Sequence, residues 1–373
     1  MHTTQPMSAP DSSGYVLPAL PPPGVDFDTT AILKALVPAH KHLAELKGCV
    51  QSIPNQQILI DTLVLQEAKA SSEVESYITT QDELFQADLH LAEHISPAAK
   101  EVSRYREALS DGFARMRHQQ GLLTNSTIIG LFQSLKASNE GFRTGPGTRI
   151  VNERTGKVVY VPPQAHGDIV AHMQTLEAFI NGAPAFDPLI QMAVAHHQFE
   201  SIHPFSDGNG RVGRILCVLS LVQAGLLDAP VLYLSRHVNR HKNDYYRLLQ
   251  AVRDEGGSAA AWQAWVLFML QAVNQTAQQT VVLVAGMREL MAGTKHTMRT
   301  QLPRLYSQDL LNNLFRHPYT RIEFVERDLG ITRQTAAKYL RELVRVGLLQ
   351  EHSRGKHVYF INAPLVGLLM QGE

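Results

Sequence analysis

Cysteine is scarce: Cys49 and Cys217 are the only two in 373 residues. They lie far apart and match no paired metal or disulfide spacing, which suits a reducing compartment. Cys217, set in an apolar run, is expected in the core. Net charge is also lacking, since 34 Lys+Arg balance 34 Asp+Glu, so no global field draws the chain to nucleic acid or an anionic membrane, and any such binding is local. Long apolar runs are missing as well. Ile215 to Leu227 and Trp265 to Val273 are the longest, and both fall short of the roughly 20 residues that a bilayer demands. Residues 1–25, rich in Ser, Pro and Thr, lack the apolar block of a secretory signal. These absences predict a cytoplasmic protein without a membrane partner, with a disordered tail over 1–25 and no internal repeat. What is present is 44% hydrophobic residues, enough for the cores of two or three domains.

From Asp28 to about Ser110 apolar residues recur at three- and four-residue intervals, as in Ile32, Leu33, Leu36, Leu43 and Leu46, predicting helices. Pro54 can open the second of these, which carries Ile58, Leu59, Leu63, Val64 and Leu65 and runs toward Glu75. Between Asn139 and Pro163 the texture changes to Gly, Pro, Thr and β-branched residues. There Thr148 to Val151 and Lys157 to Val161 flank Asn152-Glu153-Arg154-Thr155-Gly156, a β-hairpin pattern. Helical periodicity resumes through Ile169 to Ile180, Leu189 to Phe199, Val212 to Ala224 and Tyr245 to Val252, followed by a linking helix through Met287 to Leu302. At the end, Leu310 to Phe315, Ile322 to Leu329 and Thr335 to Val346 read as three helices. A hairpin of Leu348 to Glu351 and His357 to Ile361 follows, completing a winged helix-turn-helix pattern. The expected division is a helical domain over 26–125, a central domain over 126–290 and the winged domain over 300–365.

The chemistry concentrates in His203-Pro204-Phe205-Ser206-Asp207-Gly208-Asn209-Gly210-Arg211-Val212-Gly213-Arg214. Gly208 and Gly210 let the backbone turn tightly and approach a ligand, and the helix starting near Val212 offers N–H groups to phosphate. Arg211 and Arg214 add planar guanidinium forks suited to phosphate oxygens. Asp207 beside such a cradle suits Mg²⁺, which keeps several waters. His203, with an unperturbed pKa near about 6.5, is the candidate general base. His196 and His197 lie just upstream, but adjacent residues point to different helix faces, so at most one could join a metal site with His203 and Asp207.

These twelve residues match the HxFx(D/E)GNGRxxR signature, and the chain thereby resembles the Fic domain family. The resemblance implies a mainly α fold, a helical core with a β-hairpin flap, and transfer of AMP from ATP to a Ser, Thr or Tyr hydroxyl of a target protein. It implies His203 as base, Asp207 as Mg²⁺ ligand, Asn209 on the α-phosphate and Arg211 and Arg214 as phosphate clamps, with Gly208, Gly210, Val212 and Gly213 completing the nucleotide-binding loop. The hairpin falls at the flap's position, with Val158, Val159 and Tyr160 as its contacts. Asn243-Asp244-Tyr245-Tyr246 resembles the segment that lends a tyrosine to the nucleotide base, which points to Tyr245; core packing is the alternative for a tyrosine on a helix.

Ser71-Ser72-Glu73-Val74-Glu75-Ser76 is, by itself, a polar helix face on which Ser71 and Glu75 align. It also resembles the family's (S/T)xxxE(G/N) inhibitory motif, with Ser76 where Gly or Asn is usual. That resemblance implies that Glu75 pairs with Arg214 and blocks the grip on the γ-phosphate, or serves as a base for water in removing AMP. A homodimer is expected. Thr332, Arg333, Gln334, Thr335 and Lys338 at the start of the third C-terminal helix, with Arg354 and Lys356 in the wing, suit either DNA or a protein contact. Competing functions are a transcription regulator with a vestigial catalytic domain and transfer of another phosphate-containing group.

Overall fold

Helices in this chain begin where a side chain accepts the first-turn N–H groups that have no intrahelical partner. The computed structural model describes residues 17–88, 96–151, 156–183, 186–354 and 357–370. Thr29 caps α1 (Thr30–Gln51), and Asn55 caps α2 (Gln56–Val74) by accepting from Gln57 N at 3.0 Å. Pro54 therefore stands outside the second helix rather than in its first turn, because Asn55 takes the capping position. After α3 (Gln81–Asp88), Ser96 caps α4 (Pro97–His118), whose first residue is proline, and Thr124 caps α5 (Asn125–Lys136).

The expected hairpin forms from β1 (Ile150–Val151) and β2 (Val158–Tyr160), antiparallel with Ile150 opposite Tyr160 and an irregularity between Ile150 and Val151. Its strands are shorter than the β-branched runs suggest, and Asn152 to Thr155 of its turn lie outside the described residues. Next come α6 (His166–Asn181), α7 (Pro188–Ile202), α8 (Asn209–Gln223), α9 (Leu234–Arg240) and α10 (Lys242–Asp254). Then α11 (Ala259–Gln301) runs unbroken for 43 residues, about 65 Å at the usual rise. The stretch from Met287 to Leu302, expected as a separate linking helix, is its C-terminal part.

The spine of the molecule is α11. Along it lies α1, burying Ile32, Leu36, Ala39, Leu43, Leu46 and Val50 at alternating four- and three-residue steps. α7, α9, α10 and α15 (Ala363–Met370) also pack against it. α2 meets α4, α9 and α12 (Gln308–Arg316). The C-terminal part continues with β3 (Tyr319–Thr320), α13 (Ile322–Leu329), α14 (Arg333–Arg345), β4 (Gln350–Arg354) and β5 (His357–Ile361). Its three strands are ordered β3-β5-β4, all antiparallel. Arg316 pairs with Asp61 at 2.5 Å and Tyr319 Oη donates to Asp82 at 2.6 Å, fastening this part to α2 and α3.

Buried apolar residues from Leu17 to Leu369 form one continuous cluster. The N-terminal helices therefore share their core with the helices that carry the signature loop, and α2 is packed where it can reach that loop. Leu17 and Pro22 are buried and Pro18 O accepts from Gln198 Nε2 at 3.2 Å, so residues 17–25 lie against the body rather than in a loose tail; residues 1–16 lie outside the described residues. No helix among the described residues is long and apolar enough to cross a membrane.

Candidate functional site

The signature loop joins the end of α7 to the start of α8. His203 terminates α7 in a left-handed conformation, φ 49°, with its N–H donating to Phe199 O at 2.9 Å. Asn209 closes the turn: its Oδ1 accepts from Phe205 N and its Nδ2 donates to Phe205 O, both at 2.9 Å. The Phe205 ring stacks on Phe132 at 4.2 Å and anchors the loop from beneath. Gly208, at φ +77°, occupies a position where a side chain would be strained. It precedes α8 and, being glycine, offers no side-chain cap to the first-turn N–H groups. That is an anion cradle.

Around this cradle the polar residues are already engaged. Arg214 is 1% exposed, and its Nε and Nη2 donate to Ser71 Oγ at 2.8 Å, Ser71 O at 3.0 Å and Glu75 Oε1 at 2.8 Å. Ser71 and Glu75 thus both meet Arg214, and Glu75 presses on the turn so closely that a Cβ at Gly210 would collide with its carboxylate. Burial opposes the charge on Arg214, but Glu75 prevails and holds the guanidinium above its ordinary pKa. Gly213, beside Val212 on the next turn, admits the buried Glu200, whose Oε1 would lie 2.6 Å from a Cβ there.

Arg211 and Asn209 are engaged within the protein. Arg211 is buried in an ion pair with Glu101, 3.7 Å from Asp207, with its guanidinium over the Tyr77 ring at 5.2 Å. Both amide atoms of Asn209 serve the turn. In this arrangement the two residues hold the loop's shape. Asp207 is 60% exposed at its side chain, and Lys136 Nζ sits 2.7 Å from Oδ2 while Gly208 N donates to Oδ1 at 2.6 Å. Burial raises its pKa, but Lys136 and Arg211 more than offset this and keep the carboxyl below its usual range.

His203 departs from the near-neutral base expected of an open imidazole. It is half-buried, its Nδ1 has no hydrogen-bond partner, and burial with the charges of Arg253 and Arg143 pushes its pKa down to about 4. At neutral pH it is therefore unprotonated. Arg143 gave no signal as a lone arginine in a Gly- and Pro-rich stretch. Yet its N–H donates to Pro204 O at 2.9 Å, its Nε to His203 O at 3.0 Å and its Nη2 to Pro163 O, stitching the signature turn to the exit of the hairpin. Glu101, Lys136, Glu200 and Arg253 likewise come from distant elements, and nothing local in the sequence singles them out.

Of the flap residues, Val158 and Val159 are exposed, while Tyr160 is buried and donates to Ser201 O at 2.9 Å, under the Arg253 guanidinium. Tyr160 therefore anchors the hairpin, while Val158 and Val159, like Val151 and Val161, are exposed. Gln250 of α10 donates to Val159 O at 3.2 Å. Tyr245 is 1% exposed, packed among Trp265, Phe268 and His196, with its hydroxyl 2.9 Å from His196 Nε2. It is a core residue with no free face for a base, and its neighbour Tyr246, 42% exposed, is the one turned outward. His196 and His197 are both buried, the second bonded to Leu249 O at 3.2 Å. Burial first, then Arg214 for His196 and Arg253 for His197, drives both pKa values down, to about 3 for His196.

Thr332 caps α14 by accepting from Thr335 N, and Arg333, exposed, is paired with Glu323 at 2.7 Å. Gln334 and Lys338 are also exposed. The side chain of Arg354 and all of Lys356 lie outside the described residues.

A helical fold that delivers a glycine-rich turn and an uncapped helix start to one histidine, one acid and a buried arginine defines a phosphate-handling class of protein. Comparison with known proteins says which. The Fic/DOC family N-terminal model matches residues 33–114 and the Fic/DOC family model residues 115–221, together about half of the chain. The C-terminal domain model of SoFic-like protein adenylyltransferases matches residues 290–365. This chain belongs to the Fic/DOC family. Protein adenylyltransferase Fic of Aedes aegypti is 42% identical over 99 residues, 26% of this chain and 18% of its own length. A relative from Aquifex aeolicus is 26% identical over 174 residues, 45% of this chain and 51% of its own length. The chain thus spans about a fifth of the insect relative and half of the bacterial one. Among solved structures, a Fic family protein from Desulfovibrio desulfuricans aligns with a TM-score of 0.53 at 18% identity, covering 88% of this chain and 95% of its own. A fragment of Fic-1 from C. elegans aligns with a TM-score of 0.51 at 16% identity, covering 68% and 71%. These two show the shared fold.

Proposed function

We propose that the protein transfers AMP from ATP to a Ser, Thr or Tyr hydroxyl of a target protein, and that Glu75 holds this activity in check. The observation that carries the reading is the grip of Ser71 and Glu75 on Arg214 inside the anion cradle. In the proposed reaction the unprotonated His203 takes the hydroxyl proton, the freed oxygen attacks the α-phosphorus, and pyrophosphate leaves. The N–H groups at the start of α8 and the released Arg214 hold the phosphates, so positioning and fixed positive charge supply most of the catalysis. The names of the curated relatives favour AMP over another phosphate-containing group. The exposed Val158 and Val159 lie on a hairpin of two strands, and a target segment is proposed to add beside them.

Mg²⁺ fits the same loop. The Lys136 ammonium at Asp207 Oδ2 stands in for a cation at a solvent-facing carboxylate, and no cluster of three or more candidate ligands exists among the described residues. Asp207 would hold the ion together with waters and the nucleotide's own oxygens, and the ion would neutralise phosphate charge.

Charge-assisted contacts such as Glu75–Arg214 contribute about 1.5–3 kcal/mol each, which corresponds to roughly 10- to 100-fold in rate. With labelled ATP and Mg²⁺, Glu75→Gly is expected to raise AMP incorporation into the protein itself by that factor, and the double variant with His203→Ala to lose it. Equal incorporation by Glu75→Gly and the parent would remove the inhibitory reading. Retained incorporation in the double variant would remove His203 as base.

A further inference from the structure

Beside the cradle, α7 buries a carboxyl for which the proposed reaction has no use. Glu200 is 6% exposed, and its Oε1 has no hydrogen-bond partner. It reaches α8 at Gly213, where Oε1 would lie 2.6 Å from a Cβ; His196 Nδ1, also without a partner, would lie 3.1 Å from the same point. Residues 196 and 200 are one helical turn apart, so α7 presents both side chains to the residue that precedes Arg214. An alkyl side chain would fill this space without leaving a buried oxygen unmatched, so the carboxyl needs a reason.

The charge of Arg214 supplies one. With Glu75 in place the guanidinium has a carboxylate partner, and its other acceptors, Ser71 Oγ and Ser71 O, are neutral. Once Glu75 withdraws, a cation 1% exposed keeps only neutral partners, which is costly in a buried site. Of the charges around Glu200, Arg214 acts most strongly. Glu67 also feels Arg214, but less than it feels Ser235 and Tyr105, which already occupy its oxygens.

Burial raises the Glu200 pKa, Arg214 lowers it, Glu75 raises it and Arg253 lowers it, leaving it at about 7. Loss of the Glu75 charge therefore lowers it, and phosphate charge arriving beside Arg214 raises it. His196, Cys217 and Tyr245 also face this carboxyl, and all three are neutral near pH 7, since burial pushes the first down to about 3 and the other two up. Among the described residues α6 and α11, which pack against α7 as well, add no charge to it.

We propose that Glu200 is a positioning residue for the nucleotide: ionised, it balances Arg214 while Glu75 is away, and it takes a proton from solvent when the nucleotide's phosphates replace it. This rests on the reading of Arg214 as a phosphate clamp. Phosphate binding then carries a proton with it, so affinity falls as pH rises through the range where free Glu200 is ionised.

The test uses the full chain with Glu75→Gly, and α,β-methylene ATP with Mg²⁺ as the probe, because AMP cannot be transferred from it. Kd is measured by calorimetry between pH 6.5 and 8.5. Affinity is expected to fall roughly three- to tenfold per pH unit more steeply in Glu75→Gly than in Glu75→Gly with Glu200→Gln, the limit being one proton; ionisation of the probe itself is common to both. In infrared difference spectra at pH 8, binding is expected to raise the C=O band of a protonated carboxyl in Glu75→Gly. The band should persist when Glu67→Gln is added and vanish when Glu200→Gln is added. Equal pH slopes with and without Glu200, or a band that follows Glu67, overturns the role of Glu200 and leaves the nucleotide reading standing. Absence of the band in Glu75→Gly does the same, and that measurement decides even where the Glu200 variant does not fold. If adding Arg214→Ala to Glu75→Gly leaves the affinity unchanged, the clamp itself fails and the role of Glu200 falls with it.

Discussion

Replacing Asn209 with alanine would leave Phe205 N–H and C=O buried without partners, because the amide takes both and Phe205 itself is wholly enclosed. The expected loss is about 1–3 kcal/mol of folding stability, read as a lower denaturant midpoint together with lost AMP transfer. A variant that loses transfer with the midpoint unmoved would instead place Asn209 on the nucleotide. His203 yields a second residue-scale prediction. Burial and the arginines near it set its pKa at about 4, and the Glu75 charge pushes it back upward, so Glu75→Gly lowers it further. The acid limb of kcat/KM for Glu75→Gly, which reports the free enzyme, is therefore expected at or below about pH 5, not near the ordinary 6.5. A limb centred at 6.5 would show that another group is the base. The contiguous part of this site was legible because loop chemistry is local: one base, one acid, glycines and arginines fall within twelve residues. Arg143, Glu101 and Glu200 were not, since only tertiary packing brings them in. Tyr245 could have been read better. Tyr245, Leu248, Leu249 and Val252 follow the spacing of a buried helix face, and all four are buried; Tyr246 falls off that face.

The end of α2 decides how Glu75 is presented. Glu75 is its C-cap, Ser76 follows with φ at 66°, and Tyr77 N donates to Ser72 O at 2.9 Å. A left-handed residue just past a helix is the usual place for glycine, which gives physical content to the departure at Ser76: a side chain sits where a Cβ crowds the following carbonyl. Relief of that crowding is worth about 1 kcal/mol, so Ser76→Gly is expected to raise stability by this amount and to lower basal AMP incorporation by steadying the Glu75–Arg214 contact. Increased incorporation would mean that strain at Ser76 holds the brake closed. Other elements show why a chain reads unevenly. The core stripe of α1 and the amphipathic C-terminal helices were plain from their periods. α9 and the two-residue β3 are too short to carry a period, and α11 was seen in fragments because its first half, to Ala277, is buried on more than one side and only its second half keeps a narrow one-sided stripe.

Across the whole molecule the titrating groups pull stability in opposite directions. His196, His203 and His237 are held neutral by burial, with pKa values of about 3, 4 and 4, and His197 is well below its ordinary value. Between those values and about 6.5 the unfolded chain binds protons that the folded one refuses, so stability falls as pH drops through that window. Burial also lifts Glu67 and Glu200 to about 7. Between about 4.5 and 7 the folded chain keeps protons that the unfolded one releases, so these two make stability fall as pH rises, with no further change above 7. His172 and His317 are also held below their ordinary values by burial, so six histidines oppose two carboxyls over the shared range, and the histidines win below about 7. The melting temperature is therefore expected to be highest near pH 7 and to drop steeply by pH 5. Glu67→Gln removes one of the opposing carboxyls while leaving an acceptor for Ser235 and Tyr105, and it should steepen the loss of stability between pH 7 and pH 5. Calorimetry of both proteins across this range tests the balance, and a parent protein more stable at pH 5 than at 6.5 would show that the buried imidazoles are not held neutral.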